Sequence, residues 1–241
     1  MDSNYKTYSY TNSFNRLDQY LDAPAGNYEE TDSLPSRDKL TYGNGYYANC
    51  AAMFVDLRDS SSLPASYKRP VLAKIYRSFI SEVVAIMNSD LDAREINIVG
   101  DCVWGVFDTT LKTDVDDLFS RAAEVNSMMK VLRYKMEKKD YKTPVKAGIG
   151  LSYGRALMIK AGYNGSGISD VVYMGDVVNQ AAKLAAQGSK GWNQPIYADG
   201  VFYQNLNEYN QGLLKQITWG GPYSGWVVNI AMENWYTENC K

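Results

Sequence analysis

The stretch INIVGDCVWGVF, residues 96–107, sets a Gly-Asp pair between two apolar runs, and such a pair between β-type runs reads as a tight turn. Helical periodicity flanks it on both sides. Before it, Leu72, Ile75, Phe79, Val83 and Ile86 recur at helical spacing. After it, Val115, Leu118, Ala122, Val125, Met129, Leu132 and Met136 alternate steps of three and four. A short apolar run, CAAMFVD (50–56), precedes the first helix, and VKAGIGLS (145–152) follows the second. A hairpin between two amphipathic helices, closed by a strand at each end, leaves few foldable arrangements.

Read in order, residues 50–152 give β-α-β-β-α-β, the ferredoxin-like split arrangement, with both helices on one face of an antiparallel sheet. The fold class is α+β, with a βαββαβ core and extra C-terminal strands and helices. RALMIKAG (155–162) is expected to pair with 145–152 as a hairpin. A strand near 170–174, a helix near 176–187, a strand at QPIYAD, and strands near 213–218 and 225–232 complete the reading. Residues 1–48 are polar and Tyr-rich. They are read as an extension lying on a single domain of residues 49–241, with NSFNRLDQYLD as a short helix carrying Phe14, Leu17 and Leu21 on one side.

Composition removes several chemistries. The 241 residues contain no histidine, which excludes a Ser-His-Asp triad, a Cys-His pair and any histidine-held metal. A metal here is held by oxygen, which favours Mg²⁺ or Mn²⁺. Three scattered cysteines, Cys50, Cys102 and Cys240, make neither a disulfide framework nor a zinc knuckle, and read as thiols of a reducing compartment. A formal net charge of −2 gives no basic field for nucleic acid. No run approaches the length of a membrane span, and the first residues lack a signal-peptide pattern, so a cytoplasmic protein with no membrane partner is expected.

In the inferred topology Asp56 ends the first strand and Asp101 sits in the turn of the neighbouring hairpin. Two carboxylates at one sheet edge repel, and a divalent cation relieves that repulsion. One or two such ions bridging phosphates serve in-line phosphoryl or nucleotidyl transfer. Taken singly, each aspartate also reads as an ordinary turn or strand-end residue.

Four stretches together resemble the class III nucleotide cyclases. AAMFVDLRDSSSL is similar to the family's first metal segment, and INIVGDCVWGVF to its second. VYMGDVVNQAAKLA is similar to the family's Gly-x-x-Val-Asn-x-Ala-x-Arg-Leu helix, and AAQGSKGWNQPIYADGVF to the segment that follows it. The resemblance covers roughly residues 49–232 in the family's order. It implies that Asp56 and Asp101 bind two Mg²⁺ or Mn²⁺ ions per site, with the backbone carbonyl of Leu57 assisting. It also implies that Asn179 orients the ribose and that Lys183 stands where the family usually has a transition-state arginine. Asn179 and Lys183, four apart, share a helix face. A fixed cation at that place opposes charge gathering on the α-phosphate. The family's site is shared across a two-fold axis, which implies a homodimer with two shared active sites.

The positions that select the purine in the family are Asn97 and Val172 here, and neither carries a purine-reading residue. This resembles the bacterial pyrimidine cyclases of the Pycsar antiphage systems, whose cyclic nucleotide acts on a downstream effector. UTP, converted to cyclic UMP and pyrophosphate, is the expected substrate. CTP is the alternative, and an adenylate cyclase or a non-catalytic nucleotide-sensing domain are the further ones. The C-terminal segment KQITWGGPYSGWVVNI lacks the family's phosphate-binding lysine, leaving Lys215, Arg155 or Arg58 as substitutes.

Overall fold

A computed structural model describes residues 2–141 and 143–240. The chain runs α1 (Tyr10–Leu21), β1 (Tyr28–Glu30), β2 (Gly45–Leu57), α2 (Leu63–Ser66), α3 (Arg69–Asn88), β3 (Ala93–Val99), β4 (Cys102–Phe107) and α4 (Lys112–Glu137). It continues with β5 (Ala147–Tyr163), β6 (Ile168–Met174), α5 (Asp176–Ala185), β7 (Ile196–Ala198), α6 (Gly200–Asn205), α7 (Glu208–Gly212), β8 (Lys215–Gln216), β9 (Tyr223–Gly225) and α8 (Ile230–Asn239). Among the described residues no helix is long and apolar enough to cross a membrane.

The sheet is ordered β3-β4-β2-β5-β7-β9-β8, with β1 added to β2 and β6 to β5. Its first four strands, with α3 and α4, are the βαββαβ core expected from the sequence. β2 is the axis of the sheet. It pairs antiparallel with β5 from Gly45↔Ile159 to Leu57↔Ala147, and with β4 from Ala51↔Phe107 to Asp56↔Cys102.

Alternation along β2 sends side chains to two cores. Met53, Val55 and Leu57 face the helical layer, where Ile75, Phe79, Val83 and Met87 of α3 meet Leu118, Ala122, Val125 and Met129 of α4, all essentially buried. Cys50 and Ala52 face the opposite side, under Leu34, Leu40, Tyr173, Val177 and Ala181. Burial there pushes the Cys50 thiol up to about 12, so it behaves as a small apolar side chain.

The segment before and at the start of β2 contributes to this second core through Leu34, Leu40 and Ala48. β1 runs parallel to β2. Leu34 donates its N–H to the buried carboxylate of Asp108 at 2.8 Å, and Arg94 pairs with the same carboxylate at 2.6 Å. β2 starts at Gly45, so the expected boundary at 48/49 falls inside a strand.

Two expectations are corrected. Residues 145–152 and 155–162 are not a hairpin. β5 is one strand of 17 residues, because β2 offers it 13 residues of continuous ladder and no turn fits at Tyr153–Gly154. The hairpin return is β6, across a turn in which Gly165 and Gly167 take φ of +82° and +78°. The expected strand at 225–232 is only β9; from Ile230 the chain is helical, with the Asn229 side chain accepting the N–H of Met232 at 3.1 Å as N-cap.

α5 lies on β5 over two residues that lack side chains. A methyl group at Gly150 would run into the carbonyl oxygen of Ala181, and one at Gly148 into that of Ala185. Gly150→Ala is therefore expected to lower stability by about 3 kcal/mol, read as a shift of the urea midpoint. A midpoint within about 0.5 kcal/mol of wild type would show that α5 is not held at this distance.

Candidate active site

Asp56 is the penultimate residue of β2, opposite Cys102 on one side and Gly148 on the other. Asp101 lies in the turn between β3 and β4, where Gly100 takes φ of +63°, a conformation suited to glycine. The Leu57 N–H donates to the Asp101 carbonyl oxygen at 3.2 Å. The two aspartates, 45 positions apart in sequence, thus share one corner of the sheet, as the sequence analysis expects.

Arg58 fills that corner. Its guanidinium pairs with the Asp56 carboxylate and donates to the Ala186 carbonyl oxygen at 3.0 Å. Burial draws the Arg58 pKa down, and the charge of Asp101 opposes that shift, so the cation lies within reach of both acids. The corner offers two carboxylates and the Leu57 carbonyl, an all-oxygen set suited to a hard divalent cation. Among the described residues no group of three or more Cys, Asp or Glu side chains gathers as a metal site, so the acids of this corner number two.

Asn97 and Phe54 both lie opposite Trp104, so the three share a row on the face that carries Asp56. Phe54 and Trp104 stack at 5.2 Å with an interplanar angle of 7°. In an ideal sheet Asn97 stands about 12 Å from Asp56, two strands across and one alternation along. Val172, on β6 opposite Ile159, is exposed. Arg37 ties the strand of Asn97 to that of Val172, meeting Glu95 on β3 at 3.6 Å and Asp170 on β6 at 2.6 Å. Burial raises the Glu95 pKa, and Arg37 opposes the shift.

Asn179 and Lys183 occupy the outer surface of α5, whose inner surface buries Val177, Ala181 and Leu184. The Asn179 amide donates to the Gly175 carbonyl oxygen at 3.4 Å. Among the described residues neither is bonded to Asp56 or Asp101. One chain therefore brings the acids together, and sets the amide–ammonium pair apart from them on a free surface.

The proposed phosphate cations also separate. Arg155 lies opposite Asn49, seven residues along β5 from Gly148, or about 23 Å from the corner of its own chain. It pairs with Glu30 and stacks on Tyr47 at 3.7 Å. Lys215 is on β8 at the far sheet edge. Sequence reasoning missed Lys146. Its carbonyl oxygen accepts the Arg58 N–H at 2.8 Å, which continues the ladder and sets Lys146, exposed, on the side of Asp56. Its position one residue before β5 was the available signal.

Residues 44–196 match the family described as the adenylate and guanylate cyclase catalytic domain. A uridylate cyclase of Gulbenkiania mobilis is 40% identical over 99% of this chain and all of its own length. A uridylate cyclase of Treponema porcinum is 39% identical over 78% of this chain and 65% of its own. In fold, the adenylyl cyclase CyaB from P. aeruginosa superposes with a TM-score of 0.63 at 19% identity, over 75% of this chain and 94% of that one. A class III adenylyl cyclase-like ATP-binding protein from Pseudomonas aeruginosa gives 0.69 at 18% identity, over 94% of this chain and 50% of that one. With its βαββαβ core, its paired aspartates and this extent of sequence identity, the chain belongs to the family of class III nucleotide cyclase catalytic domains.

Proposed function

We propose that the protein is a uridylate cyclase, converting UTP to 3′,5′-cyclic UMP and pyrophosphate in a homodimer with two shared sites. The observation that carries the reading is the corner at which Asp56 and Asp101 converge, in a chain 40% identical over nearly its whole length to a uridylate cyclase. The second messenger would act on an effector, as the likeness to antiphage cyclases implies.

Asp56, Asp101 and the Leu57 carbonyl would hold Mg²⁺ or Mn²⁺, which acidifies the ribose 3′-hydroxyl and offsets the charge of the triphosphate. Arg58 then has to leave Asp56, and its guanidinium becomes free to meet a phosphate. Lys146, on the same side of the sheet, takes the terminal phosphates. The 3′-oxygen attacks the α-phosphorus, the bond to the β-phosphate oxygen breaks, pyrophosphate leaves, and the hydroxyl proton passes to water. The partner subunit's Asn179 fixes the ribose, and the partner subunit's Lys183 meets the charge that builds on the α-phosphate. Lysine supplies a point charge there without the fork of an arginine.

Asn97 suits a pyrimidine edge. Its amide N–H donates to the O4 of uracil while its carbonyl accepts from N3–H; turned over, it serves cytosine equally. The choice of UTP therefore rests on the relatives rather than on Asn97.

Incubating the protein with each of the four nucleoside triphosphates and Mn²⁺ is expected to yield cyclic UMP as the main product. Cyclic AMP as the main product, or no cyclic product at all, would refute the assignment. Asp56→Ala and Asp101→Ala are each expected to reduce turnover at least a thousandfold.

The shared site has its own signature. Asp101→Ala and Asn179→Ala are each expected to be inactive alone, while a mixed dimer would hold one intact site. After subunit exchange, the mixture should recover roughly a quarter of wild-type activity. Recovery of nothing would place the whole site in one chain. Because Asn179 and Lys183 are exposed and carry no packing role, their alanine variants should keep the wild-type urea midpoint within about 0.5 kcal/mol. A larger loss would mark them as structural.

A further inference from the structure

Two features of the molecule play no part in the nucleotide site. The first is a groove of about 1100 Å³ with α4 as its floor and α3 and α8 as its walls. Ile75, Met128, Leu132, Met136, Met232 and Trp235 make its apolar lining. Methionines suit such a surface because they repack around a partner. α3 and α4 run antiparallel, with Arg121 of α4 bonded to Ser89 at the end of α3. That register gathers Lys74, Arg77, Lys135 and Lys139 at one end of the groove and leaves Glu82 toward the other. Among the described residues none of these four cations is in an ion pair; Lys135 only lies over the Trp235 ring at 5.9 Å.

The second feature is α1. It is a sound helix, with Ser9 accepting the Asn12 N–H as N-cap, yet it buries none of its residues. Tyr10, Phe14, Leu17 and Leu21 form one stripe, and each is more than half exposed. Arg16, about 130° away around the helix, lies over the Tyr163 ring at 4.7 Å, so α1 is moored by its other side. Asp18 flanks the stripe and Asp22 caps the C-terminal end.

The two features fit in length and charge. The groove runs about 12 Å along α4 from Met128 to Met136 and on past the helix end to Lys139, and the 12 residues of α1 span about 18 Å. With its C-terminal end at the four cations, α1 brings Asp18, Asp22 and the negative end of its dipole to them.

We propose that α1 of one molecule seats its Tyr10–Phe14–Leu17–Leu21 stripe in the α3–α4–α8 groove of a second copy. The contact joins two different surfaces, so it is heterologous and propagates head to tail unless it closes into a ring. The groove lies on the helical side, away from the sheet face that carries Asp56 and Asn97, so a contact made there leaves that face free for the catalytic dimer.

Sedimentation velocity of the full chain tests this directly. The wild-type mass is expected to climb past the dimer as concentration rises. Phe14→Asp/Leu17→Asp and Lys135→Glu/Lys139→Glu, all at exposed or rim positions, should each stop at the dimer with unchanged circular dichroism. Combining Lys135→Glu/Lys139→Glu with Asp18→Lys/Asp22→Lys should restore the larger species. A synthetic peptide of residues 8–23 should change the tryptophan emission of the Phe14→Asp/Leu17→Asp chain saturably. It should bind the chain that also carries Lys135→Glu/Lys139→Glu at least tenfold more weakly. The proposal falls if wild type and variants sediment alike, which would leave α1 free or folded onto its own chain. It also falls if a scrambled acidic peptide binds as well as residues 8–23, which would make the groove a site for some other acidic helix.

Discussion

Everything in this molecule is registered against one strand. β2 is paired along all of its 13 residues with β5 and along its second half with β4. Two ladders remove its freedom to slip, since a shift of one residue would turn Asp56 into the helical core and expose Val55 or Leu57. The same registration sets Phe54, Trp104 and Asn97 in one row, and places Asp101 beside Leu57 through a backbone hydrogen bond. The positions of the acids are thus consequences of main-chain pairing, made before either carboxylate contributes any interaction of its own.

Arg58 resolves the electrostatic problem that this pairing creates. Two carboxylates at a sheet corner raise each other's energy, and here a half-buried guanidinium lies against them. The same side chain reaches across to the end of α5 at Ala186, so the corner and the helix of Asn179 and Lys183 are mechanically joined. On the proposed reading, a cation that stabilises the corner without substrate would have to withdraw for a divalent ion, and substrate binding would be a competition between charges.

The core was legible in the sequence because its signals are local and repetitive. Apolar steps of three and four gave α3 and α4, and the Gly-Asp turn gave β3 and β4. The aspartate corner followed from topology alone. What misled was the stretch from Ala147 to Tyr163. Tyr153 and Gly154 look like a break, but strand length is decided by the partner, and β2 continues to offer hydrogen bonds there. Residues 225–232 read as a strand because Trp226, Val227 and Val228 are β-formers, whereas the Asn229 cap that starts α8 acts only once the chain has turned. Arg58 is among the phosphate cations read from the sequence, but the place of Lys146 was invisible for a related reason. Nothing in its neighbours along the chain sets Lys146 beside Asp56; pairing between the end of β2 and the start of β5 does, whereas Arg58 follows Asp56 by one strand alternation. The buried Asp108–Leu34 contact, between residues 74 positions apart, is equally silent in the sequence.

The separation of the acids from the amide–ammonium pair on a single chain has a consequence for dosage. If a working centre needs both surfaces to meet, a lone polypeptide is chemically mute, and output at low abundance follows the square of the amount synthesised. Modest changes in expression would then be felt twice over, giving a signalling protein a threshold without any dedicated inhibitor.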